Sequence, residues 1–398
     1  MNDEPTEELA AAFAYFIDQA VAAEQALRQV DAARDPISAA RGYLHLGRQV
    51  LSAMENHLLG DPDQPRFRIL DDRVRTGGDN PDQRYGFAPI RGGVEYEIWG
   101  WKGSAARVEV QLYQREPYGA EDVSLGYLSD EEIDYDADGQ FTIRIGPDRT
   151  GRSALANPPE ATIVQVRQIY DRWDDTDPGA MFIDRYGGEG AATSAEPPQA
   201  VAQRWRLAAD DLRASVTCWP ELVHHGIEAA LPPNVLLPLR TPAGKGGVRG
   251  RWISLGQYDI DEDNCLVIVM PPVAAAYQGA QLADRWFASL EYASATSSLS
   301  GQQAVVAPDG NRYLVVALTD PGYANWMDPT GVARGIVHLR YDGLTDAPPQ
   351  AQHPTARLVA LEQLATAIPG FDEQQISAAQ RNQQRQERRR HVRRRFGR

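Results

Sequence analysis

The sequence predicts a mainly β protein with helical additions (α+β): two β-sandwich-like modules preceded by an N-terminal helical hairpin. Two observations carry this prediction. Short runs rich in β-branched and aromatic residues recur between Gly, Pro and Asp turns in residues 66–186 and again from Arg251, as in sandwiches and open barrels. In the first 60 residues, apolar side chains recur at helical spacing instead.

At 398 residues the chain is long enough for more than one compact unit. We predict five segments: an N-terminal helical hairpin (1–62), a first β module (63–190), a linker and helix (191–250), a second β module with an inserted helix (251–370), and an Arg-rich C-terminal helix or tail (371–398).

The hairpin is predicted from capping residues and helical periodicity. Thr6 can cap a first helix over 6–33, whose one apolar face contains Leu9, Phe13, Phe16, Ile17 and Val21. Asp35 is a good N-cap for a second helix, Pro36 suits its first position, and Gly60 ends it. The short connection predicts that the two helices are antiparallel.

Strands are predicted where apolar and β-branched runs lie between turn residues. In the first β module they are Arg66–Leu70, Tyr85–Pro89, Val94–Trp99, Arg107–Tyr113, Phe141–Ile145 and Ile163–Ile169. In the second they are Trp252–Leu255, Cys265–Met270, Arg312–Leu318 and Gly335–Arg340. Apolar and polar residues alternate in Val94–Trp99 and Arg107–Tyr113, as a half-buried antiparallel strand requires.

Three further helices are predicted. One spans Gln199–Ser215, after a linker over residues 189–200. A second, about Tyr277–Leu290, is inserted in the second β module. The third begins at Asp372, where Gln375 three residues later completes a capping box.

Short identities indicate that the two β modules are related. Ser124-Leu125-Gly126 recurs as Ser254-Leu255-Gly256, and each copy is followed by an acidic turn and a strand. Asp171-Arg172-Trp173 recurs as Asp284-Arg285-Trp286. These identities favour two copies of one architecture with insertions.

Charge is distributed unevenly along the chain. The net charge is −15, yet residues 380–398 contain nine arginines and one glutamate, a local charge of +8, which leaves −23 on the rest. A body this acidic repels nucleic acid. The tail is interpreted as a solvated or self-docking segment, with a nucleic-acid or membrane-surface arm as the alternative.

The N-terminus is acidic where a secretory signal would be basic, and no apolar run approaches the roughly 18 residues that span a bilayer. We therefore expect a cytoplasmic protein. The two cysteines, Cys218 and Cys265, are interpreted as small apolar packing residues.

No metal or cofactor is predicted, although two acidic clusters leave a Ca²⁺ or Mg²⁺ site as an alternative. Asp134, Asp136 and Asp138 match the start of a Ca²⁺ loop, but Ile145 stands where the bidentate glutamate belongs. A hairpin turn at Asp138-Gly139 explains them more simply. Asp174, Asp175 and Asp177 are interpreted as a solvated loop rather than a Mg²⁺ site.

The established motifs of hydrolases, zinc proteases and nucleotide-binding proteins are absent. His45 and His57 on the second helix lack a third ligand nearby and are interpreted as packing or surface residues.

The densest polar-aromatic stretch, Asp309–Arg340, predicts a site instead. Asp320, His338 and Tyr277 are its candidate acid–base residues, with Asp320 able to orient His338. The candidate substrate-binding residues are Trp326, Asn325, Trp286, Arg340, Arg167, Tyr170 and Trp173. Aromatics with few polar groups suit an apolar ligand. The simpler interpretation is that Asp320-Pro321-Gly322 builds a turn and Trp326 fills core.

Several of these motifs together resemble the bacterial domain-of-unknown-function family numbered twelve-fourteen. They are Gly77–Asp82 with Tyr85 and Pro89, the run GGVEYEIWGWKGSAARVEVQLY, and Val166-Arg167-Gln168 with Tyr170 and Trp173. Ser297-Ser298-Leu299 and Asp320-Pro321-Gly322 resemble the second half of long, two-module members. The resemblance implies β-sandwich-like modules and, from the genes that surround some members, ligands of the steroid or terpenoid kind. It implies no catalytic residue.

Three functions follow as hypotheses. The first is a cofactor-independent enzyme of the hydrolase, lyase, isomerase or cyclase type, which acts on an apolar small molecule of the steroid or terpenoid kind by acid–base chemistry. The second is a non-catalytic binding protein for such ligands. The third is an assembly protein, a homo-oligomer among the options, with its helices and Arg tail as contact surfaces and an exposed apolar face on residues 9–21.

Overall fold

The computed structural model describes residues 4–114, 123–173, 177–188, 195–242 and 247–397. Within these ranges it has five α-helices and 18 strands in four sheets. The predicted fold class is confirmed: the protein is mainly β, with sandwich-like sheets and helical additions. None of the described helices is both long and apolar enough to cross a membrane.

The first β module is a sandwich of nine strands: β1 (Arg68–Leu70), β2 (Gln83–Pro89), β3 (Tyr96–Trp101), β4 (Arg107–Tyr113), β5 (Ser124–Leu128), β6 (Gln140–Gly146), β7 (Ala154–Ala156), β8 (Ile163–Ile169) and β9 (Ala180–Arg185). Its sheets have the orders β1-β2-β8-β4-β5 and β7-β6-β3-β9. Alternate residues such as Val108, Val110 and Leu112 enter a core that both sheets share. The residues between them form the outer face of the larger sheet.

The second β module is also a nine-stranded sandwich: β10 (Val235–Leu236), β11 (Trp252–Asp259), β12 (Asn264–Met270), β13 (Tyr277–Ala283), β14 (Ser298–Ser300), β15 (Arg312–Val316), β16 (Trp326–Met327), β17 (Arg334–Asp342) and β18 (Thr355–Ala360). Its sheets have the orders β10-β11-β17-β13-β14 and β16-β15-β12-β18. Its core again draws residues from both sheets, among them Leu266, Leu282 and Leu339.

The two modules have one topology. Strand n of the first module occupies the place of strand n + 9 in the second, and each module has one parallel pair, β6–β7 and β15–β16. The predicted pair of related modules is therefore confirmed. The identities that suggested it are not equivalent, however: Ser124-Leu125-Gly126 begins the edge strand β5, whereas Ser254-Leu255-Gly256 lies in β11, one strand from the opposite edge.

The helices are α1 (Glu4–Leu27), α2 (Pro36–His57), α3 (Pro198–Val223), α4 (Leu364–Ala367) and α5 (Ala378–Arg395). Asp35 caps α2 as predicted, since its side chain accepts a hydrogen bond of 2.7 Å from the Ser38 N–H. The first three helices form one layer with its own apolar core, in which α1 packs mainly on α3.

The predicted apolar face of α1 is only partly correct. Phe16 is buried, but Phe13, Ile17 and Val21 are exposed. The buried face consists of Ala12, Phe16, Ala23 and Leu27, because α3 offers small residues, Ala208 and Ala209, and draws the two helices close together. Exposure of part of residues 9–21 is the feature that the assembly hypothesis predicted.

Two other helix predictions are wrong at their ends. The third helix does not stop at Ser215 but continues to Val223 with Pro220 inside it, and a π-turn, His224–Glu228, follows. The C-terminal helix begins not at Asp372 but after Ser377, whose hydroxyl and Gln380 form the capping box. The intervening chain is held elsewhere, since Gln375 pairs with Tyr323 and the Ile376 N–H donates to Gly322 O.

The predicted helix over Tyr277–Leu290 is also wrong, because Tyr277–Ala283 is strand β13. It lies between β17 and β14 and exchanges backbone hydrogen bonds with both. A segment that completes the interior of a sheet follows the register of its neighbours rather than its own helical periodicity.

Candidate functional site

The outer faces of the two five-stranded sheets meet in a buried polar layer. We define this polar layer by Tyr85, Glu109 and Arg167 from the first module and Arg251, Arg340 and Asp342 from the second. Tyr85, Arg167 and Glu109 are direct cross-strand neighbours on β2, β8 and β4. Arg251 connects the modules, since its Nη2 lies 3.8 Å from Oε2 of Glu109.

Charges in the polar layer have partners within the protein. Arg251 donates to both carboxylate oxygens of Asp342 at 2.6 Å. Arg167 donates to Gln111 Oε1 and to the Tyr113 hydroxyl, each at 2.8 Å. Burial, with Asp342 nearby, raises the pKa of Glu109, while the surrounding arginines oppose the shift. Fixed pairing of this kind organises a protein interior and leaves little for a ligand.

Two candidate catalytic residues, His338 and Tyr277, and two candidate binding residues, Arg340 and Arg167, lie in or beside this layer. His338 is buried and stacks on Phe287 at 5.7 Å, and burial with Arg340 nearby lowers its pKa well below the usual range. Neither ring nitrogen has a hydrogen-bond partner among the described residues, so Asp320 does not orient it.

Tyr277 belongs to a buried network instead. Its hydroxyl donates to Asp82 Oδ2 at 2.7 Å and accepts from Asn80 Nδ2 at 2.9 Å. Burial raises the pKa of Asp82, against the effects of Tyr277 and of Arg395. Arg340 donates to Gln281 and to the carbonyl of Gly78.

The other predicted site residues are dispersed over the fold. Asp320 pairs with Arg381 of α5 at 2.9 Å. Trp326 and Asn325 donate hydrogen bonds from their side-chain N–H groups to nearby backbone carbonyls. Trp286 donates to Ser38 O beneath α2. Tyr170 and Trp173 pack under α5. The structure therefore does not bring the predicted cluster together, and the catalytic roles stay predictions.

The candidate metal ligands are also engaged elsewhere. Asp134 pairs with Arg152, and Asp136 accepts N–H bonds from its own turn. Asp177 accepts from Trp101 Nε1 at 2.7 Å, while Asp174 and Asp175 lie outside the described residues.

Among the described residues a different group, Asp31, His224 and Glu228, converges closely enough for an ion. Arg285 donates to both of its carboxylates. This guanidinium already supplies the positive charge that a metal would bring there.

A cleft of about 840 Å³ lies between the helical layer and the outer face of the first module's larger sheet. We call it the helix–sheet cleft. The end of α2 and one side of α3 form one wall, and β1, β2 and β8 form the other. Its apolar lining includes Leu59, Phe67, Phe87, Pro89, Ile163 and Leu207. Both the volume and the apolar walls are typical of small-molecule sites.

A histidine–aspartate pair stands on the helical wall of this cleft. His57 comes from the last turn of α2 and Asp211 from α3, and His57 Nε2 lies 3.1 Å from Asp211 Oδ2. Asp211 is nearly buried, with 7% of its side chain exposed, against 25% for His57. A carboxylate that accepts from Nε2–H fixes the tautomer in which Nδ1 carries the lone pair. Nδ1 can then act as a general base.

An arginine with unused donors stands on the sheet wall. Arg68 of β1 lies over the Phe87 ring at 5.0 Å, and 14% of its side chain is exposed. It donates no hydrogen bond to any described residue, and its nearest carboxylate oxygen, from Glu55, is 3.6 Å from Nη1. Nε and Nη1 are shielded from solvent without a hydrogen-bond partner, and Arg68 is one of the residues that line the cleft. Glu55 also lines the cleft and forms an ion pair with Arg68, but no described residue accepts a hydrogen bond from the guanidinium, and a ligand oxygen could supply that acceptor.

Sequence analysis missed all three of these residues. His57 was interpreted as a packing or surface histidine, and the distance of 154 positions to Asp211 hides their pairing. Arg68 had a readable signal: in Arg66–Leu70 the arginines alternate with apolar residues, which puts Arg66 and Arg68 on the face opposite Phe67 and Ile69.

Comparisons with known proteins bear on the fold alone. No family model and no curated protein matches the chain, so the family resemblance stays a prediction. The chain is similar to a crystal structure of an uncharacterized protein from Burkholderia cenocepacia, with 24% identity, 90% of this chain and 99% of that chain covered, and a TM-score of 0.79. A protein from Vibrio parahaemolyticus is 10% identical over 80% of this chain and 98% of that chain, with a TM-score of 0.41.

Proposed function

We propose that the protein binds an apolar small molecule in the helix–sheet cleft and transforms it by acid–base chemistry with His57 as the base. One observation carries the proposal: an imidazole held by a buried carboxylate stands on the wall of a large, mostly apolar cleft. Steroids and terpenoids are the ligand class that we would test first, since their bodies are apolar and of a size that such clefts enclose.

Three residues have distinct roles in this scheme. Asp211 orients the imidazole and selects its tautomer, as carboxylates do in histidine-based catalysis. His57 removes a proton from the ligand through Nδ1 and returns it at another position or to a leaving group. Arg68 donates to an oxygen of the ligand and stabilises the negative charge that develops when the proton leaves. Isomerase and lyase reactions on carbonyl compounds fit this set, and the step needs no cofactor.

Binding is tested first, by thermal unfolding with a panel of steroids and terpenoids. A ligand at 100 times its dissociation constant should stabilise the fold by about 2.7 kcal/mol. Leu207→Arg, which places a charge on the apolar wall at a half-exposed position, should abolish the shift. Leu222→Arg is the matched control, since Leu222 is equally exposed on α3 but does not line the cleft. A shift that survives Leu207→Arg would place the ligand elsewhere.

Turnover is tested next on a ligand that binds. His57→Gln should abolish it and leave affinity within about threefold, since a general base contributes chiefly to the transition state. His225→Gln is the control, because His225 is an exposed histidine outside the cleft. Binding without turnover in the wild type would identify a non-catalytic binding protein.

A further inference from the structure

A second pocket, of about 500 Å³, lies beside α5 and is chemically unlike the cleft. We call it the donor pocket. Apart from Trp173, its lining residues have polar or charged ends: Arg172 from the end of the first module, Gln302 and Gln303 from the loop after β14, and Gln384 and Arg390 from α5 among them.

The floor of the donor pocket is a fixed positive charge. Arg388 is 2% exposed and stacks over the Trp173 ring at 4.1 Å. It donates to the carbonyls of Tyr292 and Ser298 and to the Ser298 hydroxyl, at 2.8 to 3.0 Å. None of these partners carries a negative charge, and Arg388 forms no ion pair with a described residue. The carboxylates of Asp82 and Glu291 act on this guanidinium without forming an ion pair with it.

The rim adds two glutamine side chains whose amide oxygens already accept hydrogen bonds from the protein. Gln384 Oε1 accepts from Arg381 at 2.6 Å, and Gln303 Oε1 accepts from the Ser300 N–H at 2.9 Å. Each amide NH₂ group thus remains for a ligand. Arg172 and Arg390 are exposed and form no ion pair with any described residue.

One carboxylate, Glu387, lines the pocket, and it accepts from Gln383 Nε2 at 2.8 Å along α5. Three arginines therefore face a single glutamate. The protein as a whole has a net charge of −15, so long-range attraction does not draw anions to it. A cationic pocket with free donors on its rim, in such a molecule, is suited to a compact ligand that offers only acceptors.

We propose that the donor pocket binds a phosphate-type anion, a phosphate or diphosphate group on a small molecule. Phosphate oxygens accept several hydrogen bonds at once, and paired guanidinium groups meet them with charge-assisted bonds. Arg172 and Arg390 would close on the anion from two sides, Gln303 and Gln384 would donate to its oxygens, and Arg388 would neutralise it from below. The site is separate from the helix–sheet cleft and does not depend on the activity proposed there.

Calorimetric titration of the full-length protein with pyrophosphate and with inorganic phosphate tests this. We expect saturable binding of pyrophosphate and an affinity loss of about tenfold or more in the double variant Arg172→Ala/Arg390→Ala. The matched control is Arg389→Ala/Arg393→Ala, which removes the same charge from exposed positions outside the pocket and should change affinity less than about twofold. All four positions are exposed, so the fold should survive.

A third variant, Gln303→Leu, removes a donor without altering charge and should weaken binding by about threefold to tenfold. Two results would overturn the proposal: no saturable heat from pyrophosphate in the wild type, or equal losses in the two arginine pairs, which would mean diffuse attraction to α5 rather than a site.

Discussion

The helix–sheet cleft and the polar layer lie on one face of the same sheet, yet their arginines differ in whether they donate hydrogen bonds to the protein. Arg68 and Phe87 form one cross-strand row on β1 and β2, and the next row along contains Tyr85, Arg167 and Glu109. In the polar layer Arg167, through Nη1 and Nη2, and Arg251, through Nε and Nη2, donate hydrogen bonds to the protein, while Arg167 Nε has no acceptor among the described residues. In the cleft, Arg68 donates no hydrogen bond to any residue that the structure describes.

This difference between the arginines follows from the elements that pack over each end of the sheet's outer face. The second sandwich lies over one end and brings both Arg251 and its carboxylate partner Asp342, and Arg251 also lies 3.8 Å from Glu109 of the first module. Helices lie over the other end and leave a gap of about 840 Å³ in front of Arg68. Pairing within the protein indicates stability, whereas an unpaired donor facing open volume indicates binding. Four predictions test this distinction, from the largest expected effect to the smallest.

The largest effect should come from breaking the pair in the polar layer. Asp342→Ala leaves Arg251 buried without its bidentate partner, and we expect a loss of about 3–5 kcal/mol in the free energy of unfolding. Denaturant titration measures it. The double variant Arg251→Met/Asp342→Leu should recover most of that loss. If Asp342→Ala costs less than about 1 kcal/mol, the Arg251–Asp342 pair does not contribute to stability as a buried ion pair should.

The second effect concerns the helices that cover the cleft. Burial lowers the pKa of His45 on α2 to about 4. Since the unfolded state binds the proton more tightly, stability is complete above pH 6.5 and falls as pH decreases toward 4, by about 3 kcal/mol in total. Unfolding followed at a series of pH values should show this loss, and His45→Gln should remove it. The same slope in both proteins would locate the proton uptake elsewhere.

The third effect separates binding from stability. Arg68→Met should lower the affinity for a cleft ligand by about tenfold, because an oxygen of the ligand loses its donor. The free energy of unfolding should change by less than about 1 kcal/mol, because the native arginine donates no hydrogen bond to the described protein. Titration and denaturant unfolding of the same samples give both numbers. A large loss of stability with unchanged affinity would reverse the assignment.

The smallest effect is expected at Asp320, which the sequence singled out. Asp320 is 30% exposed, and its partner Arg381 is buried but also donates to the carbonyls of Tyr323 and Ala324 and to Gln384 Oε1. Since asparagine keeps one acceptor oxygen, Asp320→Asn should cost about 1 kcal/mol or less. Turnover of a cleft ligand should be unchanged. If Asp320→Asn abolishes turnover and His57→Gln does not, the catalytic centre lies near α5 rather than in the cleft.

Predictability from sequence differed between the fold and the site for a physical reason. Strands such as Arg107–Tyr113 alternate apolar and polar residues because one face of the sheet is always packed, and that pattern is local. The start of α2 is equally local, since Asp35 and Pro36 act within one turn. A site gathers residues from distant segments. His57 meets Asp211 only because α2 and α3 pack together, and no local pattern records that contact.

By itself, the sequence determined the mainly β class, two sandwich modules, the capped start of α2 and an Arg-rich tail set against an acidic chain. Tertiary structure decided the rest: that Tyr277–Ala283 is a central strand, that the two modules share one topology, and that three arginines of α5, Arg381, Arg388 and Arg395, are buried against the body. Local propensities differ by about 1 kcal/mol or less per residue, whereas completing a sheet satisfies a whole row of backbone groups. The cleft, likewise, exists only between elements, where a helical layer and a sheet fail to fill the space that separates them.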